Sequence, residues 1–492
     1  MGYLLGFDLG TSSCKTVIVD EALRIVASVS HEYQTIIKPN GGAEQPAEQW
    51  WKSFCISVEE CIRNAGITSS QIEAVGIDTM GSVVLPLDKS GKPLRNGFLW
   101  MDRRSGLQSE AVDRIAGQKL FAITGNRADP SDIAPKVLWI KENEPDIYRQ
   151  TWKFLHANGY LVYMLTGISS QDDTENGLSL LADIKKGEWS DELIRDFGID
   201  RDKLPDIYKS LDIVGKVTQE ASAASGLTEG TPVIAGAMDV IASAVGTGAI
   251  HEGDVYIAGG TVIALGLVRD QPIAHPLLHL HNHIRPKGFL SVAAVDFGGG
   301  TMKWFRNVTG AKDYKKIDEM AAKSPPGNDG LIFLPYMVGQ RSPLYNDNMS
   351  GIVFGLKPSH DFTHLSRMIM EGTAYAMRNV MDYFRGSGTV PVNAIMTGGV
   401  SNSSIWPQIV ADVLEMPIEV PEHQDVACIG IAASAGVAVG IFKNLEDALA
   451  GKLSIKKYMP AGDNSAIYRR GFDLFKDILE KSLPLYDNAK GV

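Results

Sequence analysis

The chain has 492 residues, 44% hydrophobic and 21% charged, which is ordinary for a soluble globular protein and too long for one core, so about two to four domains are expected. Its formal net charge of -11 argues against nucleic acid or an anionic membrane as a partner, yet allows a small anion held by local N–H groups and a metal ion. Cys14, Cys55, Cys61 and Cys428 form no CxxC pair, the N-terminus lacks a signal-peptide pattern, and no apolar run reaches about 18 residues, so a cytoplasmic protein without a membrane span is expected.

Taken in order, Tyr3 to Asp20 reads as strand, tight turn at Gly10-Thr11-Ser12-Ser13, and strand, with a third strand in RIVASVSHEY. An amphipathic helix follows near Pro46, with Trp50, Phe54, Val58 and Ile62 at helical spacing. AVGIDTMG reads as a buried strand ending at glycine. DIYRQTWKFLHANGYLVYMLTG reads as helical, and residues 170–232 are polar with several turns. GDVYIAGGTVIALGLV then repeats the opening strand–turn–strand device, which predicts two domains of similar design, 1–245 and 246–492, sharing an interface because no low-complexity linker separates them. The last third alternates strand and helix through AIMTGGVS, SIWPQIVADVLEM, PIEVPE and VACIGIAASAGVAVGIF.

Five motifs carry candidate chemistry. In Asp8-Leu9-Gly10-Thr11-Ser12-Ser13, a Gly/Thr/Ser turn exposes N–H groups and hydroxyls to phosphate oxygens, and the aspartate at its mouth suits Mg²⁺. Alone, that motif reads better as a hairpin turn capped by its aspartate. Gly259-Gly260-Thr261 repeats the logic in the second half. Gly236-Ala237-Met238-Asp239 puts an aspartate at a turn or helix start, either as a plain N-cap or as a general base for an attacking hydroxyl. Trp100-Met101-Asp102-Arg103-Arg104 offers a ring for C–H faces and charged groups for hydroxyls, and reads equally as an ion-pair cluster beside a core tryptophan. Gly398-Gly399 after an apolar strand lets a flat base approach the backbone, with Asn402 nearby; a capped strand-to-helix turn is the plainer alternative. No Walker A or protein-kinase signature occurs. His275, His279, His281 and His283 stand close together, but no Cys or acidic pair completes a metal set, and a solvated or polar-lined strand is expected there.

Together, in order and over nearly the whole chain, these segments resemble the FGGY carbohydrate kinase family. Alongside the motifs above, YLVYMLTG, PYMVGQRSPLYNDNMSGIVFGL and MEGTAYAMRNV resemble its mid-domain helix and carboxy-terminal signature. The resemblance implies an α/β fold of two RNase H-like, actin-like domains with a cleft between them, the sugar on the amino-terminal side and ATP mostly on the other. Carried over by position, Asp239 is the base and Asp8 serves Mg²⁺. Gly10, Thr11, Ser12, Ser13, Gly260 and Thr261 meet phosphates, while Gly398, Gly399 and Asn402 flank adenosine. Met80, Gly81, Trp100, Asp102 and Arg104, with Asp239, face the sugar. A pentulose such as xylulose leads, with rhamnulose, fuculose, gluconate or a polyol as alternatives. A non-catalytic ATP switch and a sugar-sensing pseudo-kinase are the readings of another class, and a homodimer is possible. The chain departs from the family pattern at Val262, where Ser or Thr is usual, at Gln340, where glutamate is usual, and at Gly159, where many members carry aspartate. It also lacks the histidine of the Met-His-Gly run usual in xylulose kinases near Met80.

Overall fold

A computed structural model describes residues 2–423, 425–451 and 455–488. Two seven-stranded sheets organise it, and both repeat one strand order. In the first, Tyr3–Leu9, Ser13–Asp20 and Ile25–Glu32 form an antiparallel meander; Ile72–Thr79 runs parallel beside Tyr3–Leu9, then Pro232–Ile234 follows in parallel and Ile213–Lys216 closes the edge antiparallel. In the second, Asp254–Gly259, Ile263–Arg269 and Phe289–Val295 form the meander, Asn393–Thr397 and Ile418–Pro421 add in parallel, and Ile455–Tyr458 closes the edge. The second sheet carries one further outer strand, His279–Asn282, beside Phe289–Val295. The RNase H-like order expected from the resemblance is therefore present twice.

Local sequence accounts for these elements. Tyr3–Leu9 is covered on both faces and reads as a nearly continuous apolar run, whereas the outer strand Ile25–Glu32 alternates buried and exposed residues. Ala47–Ala65 buries Trp50, Phe54, Val58 and Cys61 on one face and ends at Gly66 in the left-handed conformation. The segment read as one helical stretch over 146–167 is broken: Pro145–Gln150 and Ala157–Thr166 are helices, but Lys153–Leu155 is a strand paired with Leu85–Leu87. Tertiary pairing overrides propensity there.

Two helices lie between the sheets, Asp239–Thr247 and Val426–Ala438. Their approach is so close that glycine is required. A Cβ on Gly246 would stand 1.8 Å from the Val426 carbonyl oxygen, and one on Gly430 would stand 2.0 Å from that of Ala242. The second helix also lies on the first sheet, where Gly6 and Gly76 admit the carbonyls of Cys428 and Ile431. A single apolar cluster consequently joins Leu4, Val19 and Ala74 of the first lobe to Tyr256, Leu290 and Ile395 of the second. Gly246→Val, which adds bulk against backbone that cannot retreat, is expected to destabilise by about 3 kcal/mol or more; a thermal melt within a few degrees of the unsubstituted chain would contradict this packing.

Candidate active site

Three neighbouring strands bring three aspartates together. Asp8 and Asp78 are paired residues of adjacent parallel strands. Ala237–Met238 pairs with Asp78 and Thr79, so Asp239, the next residue, opens its helix beside them. Asp239 Oδ1 accepts the Val240 N–H at 2.6 Å, within the positive first turn of that helix. Asp78 is fully buried, and neither of its carboxylate oxygens has a partner; Asp8 Oδ1 is likewise buried and unpartnered. Burial raises Asp8 to about 6, with Lys15 partly opposing it. Burial, then Asp8, raises Asp239 to about 7. Asp78 is raised well above the ordinary range by burial and by both neighbouring carboxylates.

A cavity of about 480 Å³ opens over this group, between the lobes. Asp8, Gly10, Thr11, Met80, Gly81, Trp100 and Asp239 line it from the first lobe. From the second lobe come Ala258, Val262, Ala264, His279, His281 and Arg341. The Trp100 ring is fixed by its Nε1, which donates to Thr11 Oγ1 at 2.9 Å, so the first turn and the ring are one unit. Ser12 is exposed at the tip of that turn, and Ser13 begins the second strand, its carbonyl accepting the Gly10 N–H.

Asp102 and Arg104 stand apart from this wall. Asp102 is buried, accepting the Ala43 N–H at 2.8 Å and pairing with Arg104 at 2.6 Å. Arg104 also reaches Glu44, which binds Arg95 as well, and its guanidinium lies over Phe98 and Trp139. The ion-pair alternative for this motif thus describes the side chains: they brace the segment that presents Trp100, and Arg104 Nε and Nη2 are already taken by Asp102 and Glu44.

A second cavity, of about 870 Å³, lies in the C-terminal lobe. Gly259, Gly260, Thr261, Gly299, Gly399 and Asn402 line it, with Lys303, Asp318 and Trp406. Its floor is backbone: a Cβ on Gly299 would stand 2.1 Å from the Gly260 carbonyl oxygen. Gly398, at φ 80°, is not on this wall; a Cβ there would meet the Gly259 carbonyl oxygen at 2.7 Å. The twelve-residue helix Gly298–Thr309 begins here, so its first N–H groups and Lys303 favour phosphate. Asp318 accepts the Ser404 N–H and the Ser403 hydroxyl, fixing the loop after Asn402.

Several contributors escaped the sequence reading. Asp78 was hidden inside an apolar run; strand register with Asp8 is its only signal. Gly299 belongs to a visible Gly-Gly-Gly run, and Lys303 follows it. Of the solvated or polar-lined strand expected here, the second form is present: His275 and His279 are half-buried, His281 and His283 are buried and pushed down to about 3 by burial, and His279 and His281 line the first cavity. Among the described residues no group of three His, Cys, Asp or Glu could cage a metal.

Comparison with known proteins matches these features. The N-terminal domain model of the FGGY family of carbohydrate kinases matches residues 3–246, and the C-terminal domain model matches residues 255–439. The chain belongs to the FGGY family of carbohydrate kinases. It is 28% identical to a xylulose kinase of Bacillus subtilis over 97% of both chains, and 26% identical to a gluconokinase of the same organism over 96% of this chain and 94% of that one. The solved xylulose kinase from Rhodospirillum rubrum superposes with a TM-score of 0.92 at 26% identity, covering 99% of this chain and 100% of that one. This FGGY kinase is thus a sugar kinase with two domains of the actin-like ATPase fold and ATP as co-substrate. No helix among its described residues is long and apolar enough to cross a membrane.

The buried acids have a consequence for the ligand-free kinase. Their ordinary value is 3.8, so the stability each contributes is fully present below that pH and is lost as pH rises through about 6 for Asp8 and about 7 for Asp239. Asp78→Asn removes one such acid from the group. It is expected to raise the melting temperature of the ligand-free kinase at about pH 8 and to flatten its fall between about pH 5 and pH 8. An unchanged slope in paired melts would mean that these carboxylates are not stressed by burial.

Proposed function

We propose that this chain transfers the γ-phosphoryl group of ATP to a hydroxyl of a pentulose such as xylulose, with Asp239 as the general base and Mg²⁺ held at Asp8. The observation that carries the reading is the grouping of Asp239, Asp8 and the Trp100 ring on one cavity wall. Asp239 takes the alcohol proton while the new O–P bond forms and the bond from the γ-phosphorus to its bridging oxygen breaks, releasing ADP. Its raised affinity for protons, about 7, suits a base that works near neutral pH. The orphaned oxygens of Asp8 and Asp78 fit a hard cation that takes one or two carboxylates and keeps water and phosphate oxygens as its other ligands. That ion supplies charge neutralisation on the phosphates. The glycine floor at Gly259, Gly260 and Gly299 leaves room for phosphates against backbone, and the space beside Gly399, Asn402 and Trp406 suits adenosine.

The choice of a neutral ketose over an aldonate is supported by the charges of the sugar cavity. Among the described residues Arg341 is the one Lys or Arg on its wall, and Arg341 is bonded through Nε and Nη2 to Asp296. Burial lowers the proton affinity of both His279 and His281. A carboxylate would therefore meet little free positive charge, whereas neutral imidazoles can exchange hydrogen bonds with hydroxyls.

Two measurements test the proposal. In a coupled ADP-release assay over ketoses, polyols and aldonates, turnover is expected to be stimulated most by a ketopentose, with little response to gluconate. No stimulation by any sugar would sink the kinase reading and favour a nucleotide switch. Asp239→Ala is expected to lose about two orders of magnitude or more in kcat with ATP binding retained, and near-normal turnover would remove Asp239 from the role of base.

A further inference from the structure

The sugar-facing segment Met80-Gly81-Ser82 is held in an unusual conformation by buried charge that lies behind the cavity. Ser82 lines the cavity and has φ 51°, in the left-handed region that a side chain disfavours. Both polar ends of this residue's backbone are held. Its carbonyl accepts from Nζ of Lys136, and its N–H donates to Glu175 Oε2 at 3.2 Å. Lys136 and Glu175 are 0% and 1% exposed.

Lys136 comes from the helix Ile133–Asn143, and Glu175 from the short turn Asp173–Glu175. The same turn reaches the catalytic strand end. Thr174 Oγ1 accepts the Met238 N–H at 2.9 Å, one residue before Asp239, and Asp172 caps Thr174. Gly81 packs against Met238 closely enough that a Cβ there would stand 2.4 Å from its Cε.

A lysine in full burial is costly unless its charge is used. Burial pulls Lys136 down to about 8, and the carboxylates of Asp132, Asp102, Glu175 and Asp129 act on it from a distance and partly restore it. Its hydrogen bond goes to the strained Ser82 peptide. An apolar side chain would fill that space with less penalty if filling were its only task.

We propose that Lys136 and Glu175 are positioning residues, a buried clamp on the two sides of Ser82 that sets the conformation in which Met80, Gly81 and Ser82 meet the sugar. Neither lines the cavity. The clamp rests on the reading of that cavity as the sugar site. Its signature is a change in sugar affinity with the phosphoryl-transfer step and the nucleotide site left alone.

The test is steady-state kinetics of the full chain, with the best sugar of the panel and ATP varied in turn. Lys136→Met is expected to raise the sugar KM by about tenfold or more, with kcat and the ATP KM within about threefold of the unsubstituted values. Adding Ser82→Gly to Lys136→Met is expected to return the sugar KM to that of Ser82→Gly alone, because glycine adopts a positive φ without the clamp. Glu175→Leu should reproduce the effect of Lys136→Met, and Glu175→Gln, which keeps an acceptor oxygen, should stay within about threefold. A folded Lys136→Met variant with unchanged sugar KM, or with kcat and ATP KM lost in step with it, overturns the clamp. If Lys136→Met does not fold, the Glu175 pair decides: equal sugar KM values for Leu and Gln overturn it. No sugar-stimulated turnover in the unsubstituted chain would instead sink the kinase reading beneath it.

Discussion

The site depends on three carboxylates being kept close together at the ends of adjacent strands, where water cannot fully solvate them. Asp8 and Asp78 are fixed by parallel pairing, and Asp239 by a strand of two residues, Ala237–Met238, that joins the same sheet before its helix begins. No loop adjustment can easily separate them, since Asp8 and Asp78 belong to one hydrogen-bonded ladder and Asp239 directly follows a strand paired to it. Burial raises the proton affinity of all three, with Lys15 as the nearby cation, itself paired to Asp425 at 2.5 Å. Concentrated negative charge of this kind has its natural counterpart in a divalent cation and the phosphates that accompany it.

The same sheet arrangement makes the space between the lobes unequal. Behind the aspartates the two central helices touch through Gly246 and Gly430, and the lobes share one apolar cluster. In front of them the cavity is walled by both lobes, with Trp100 and Met80 on one side and His279, His281 and Arg341 on the other. The outer strand His279–Asn282 is tied to the first lobe by Asn126, whose side chain accepts the Leu280 N–H at 2.8 Å and donates to the Leu280 carbonyl at 2.9 Å. The wall of this cavity is therefore built from both lobes, while the aspartates come from the first.

How legible this was in the sequence follows from the physics of each residue. The two strand–turn–strand devices were readable because a glycine turn between β-branched runs is a local signal, and Asp239 was readable because small residues and an aspartate mark a strand-to-helix junction; the third strand of the second meander, Phe289–Val295, was not. Trp100 could be singled out as an exposed-type ring in a polar run, yet its charged neighbours Asp102 and Arg104 serve the backbone behind it, a distinction that only three-dimensional pairing with Glu44, Ala43 and Phe98 reveals. Asp78, His281 and Lys136 were not readable, since their meaning lies in partners far along the chain: Asp8, Thr174 and Ser82. The break in the helical stretch near Lys153 has the same origin, because the pairing that makes a strand of it comes from Leu85–Leu87.

The departures from the family pattern also resolve into local packing. Gln340 donates from its amide nitrogen to the carbonyls of Ala294 and Ser342, while its oxygen accepts the Asp296 N–H. An ionised glutamate has no N–H to give and would leave two carbonyls facing a charge. Gly159 lies so near the Ser170 carbonyl that a Cβ would stand 2.3 Å from its oxygen, which excludes any larger residue unless that strand moves. Val262 belongs to the wall of the cavity holding Asp239 and Trp100, whereas Gly260 and Thr261 line the other cavity. The missing hydroxyl therefore lies on the side of the turn that faces Asp239 and Trp100. It leaves the glycine floor of the second cavity as it was and makes the space near Asp239 more apolar, where exclusion of water strengthens charge interactions.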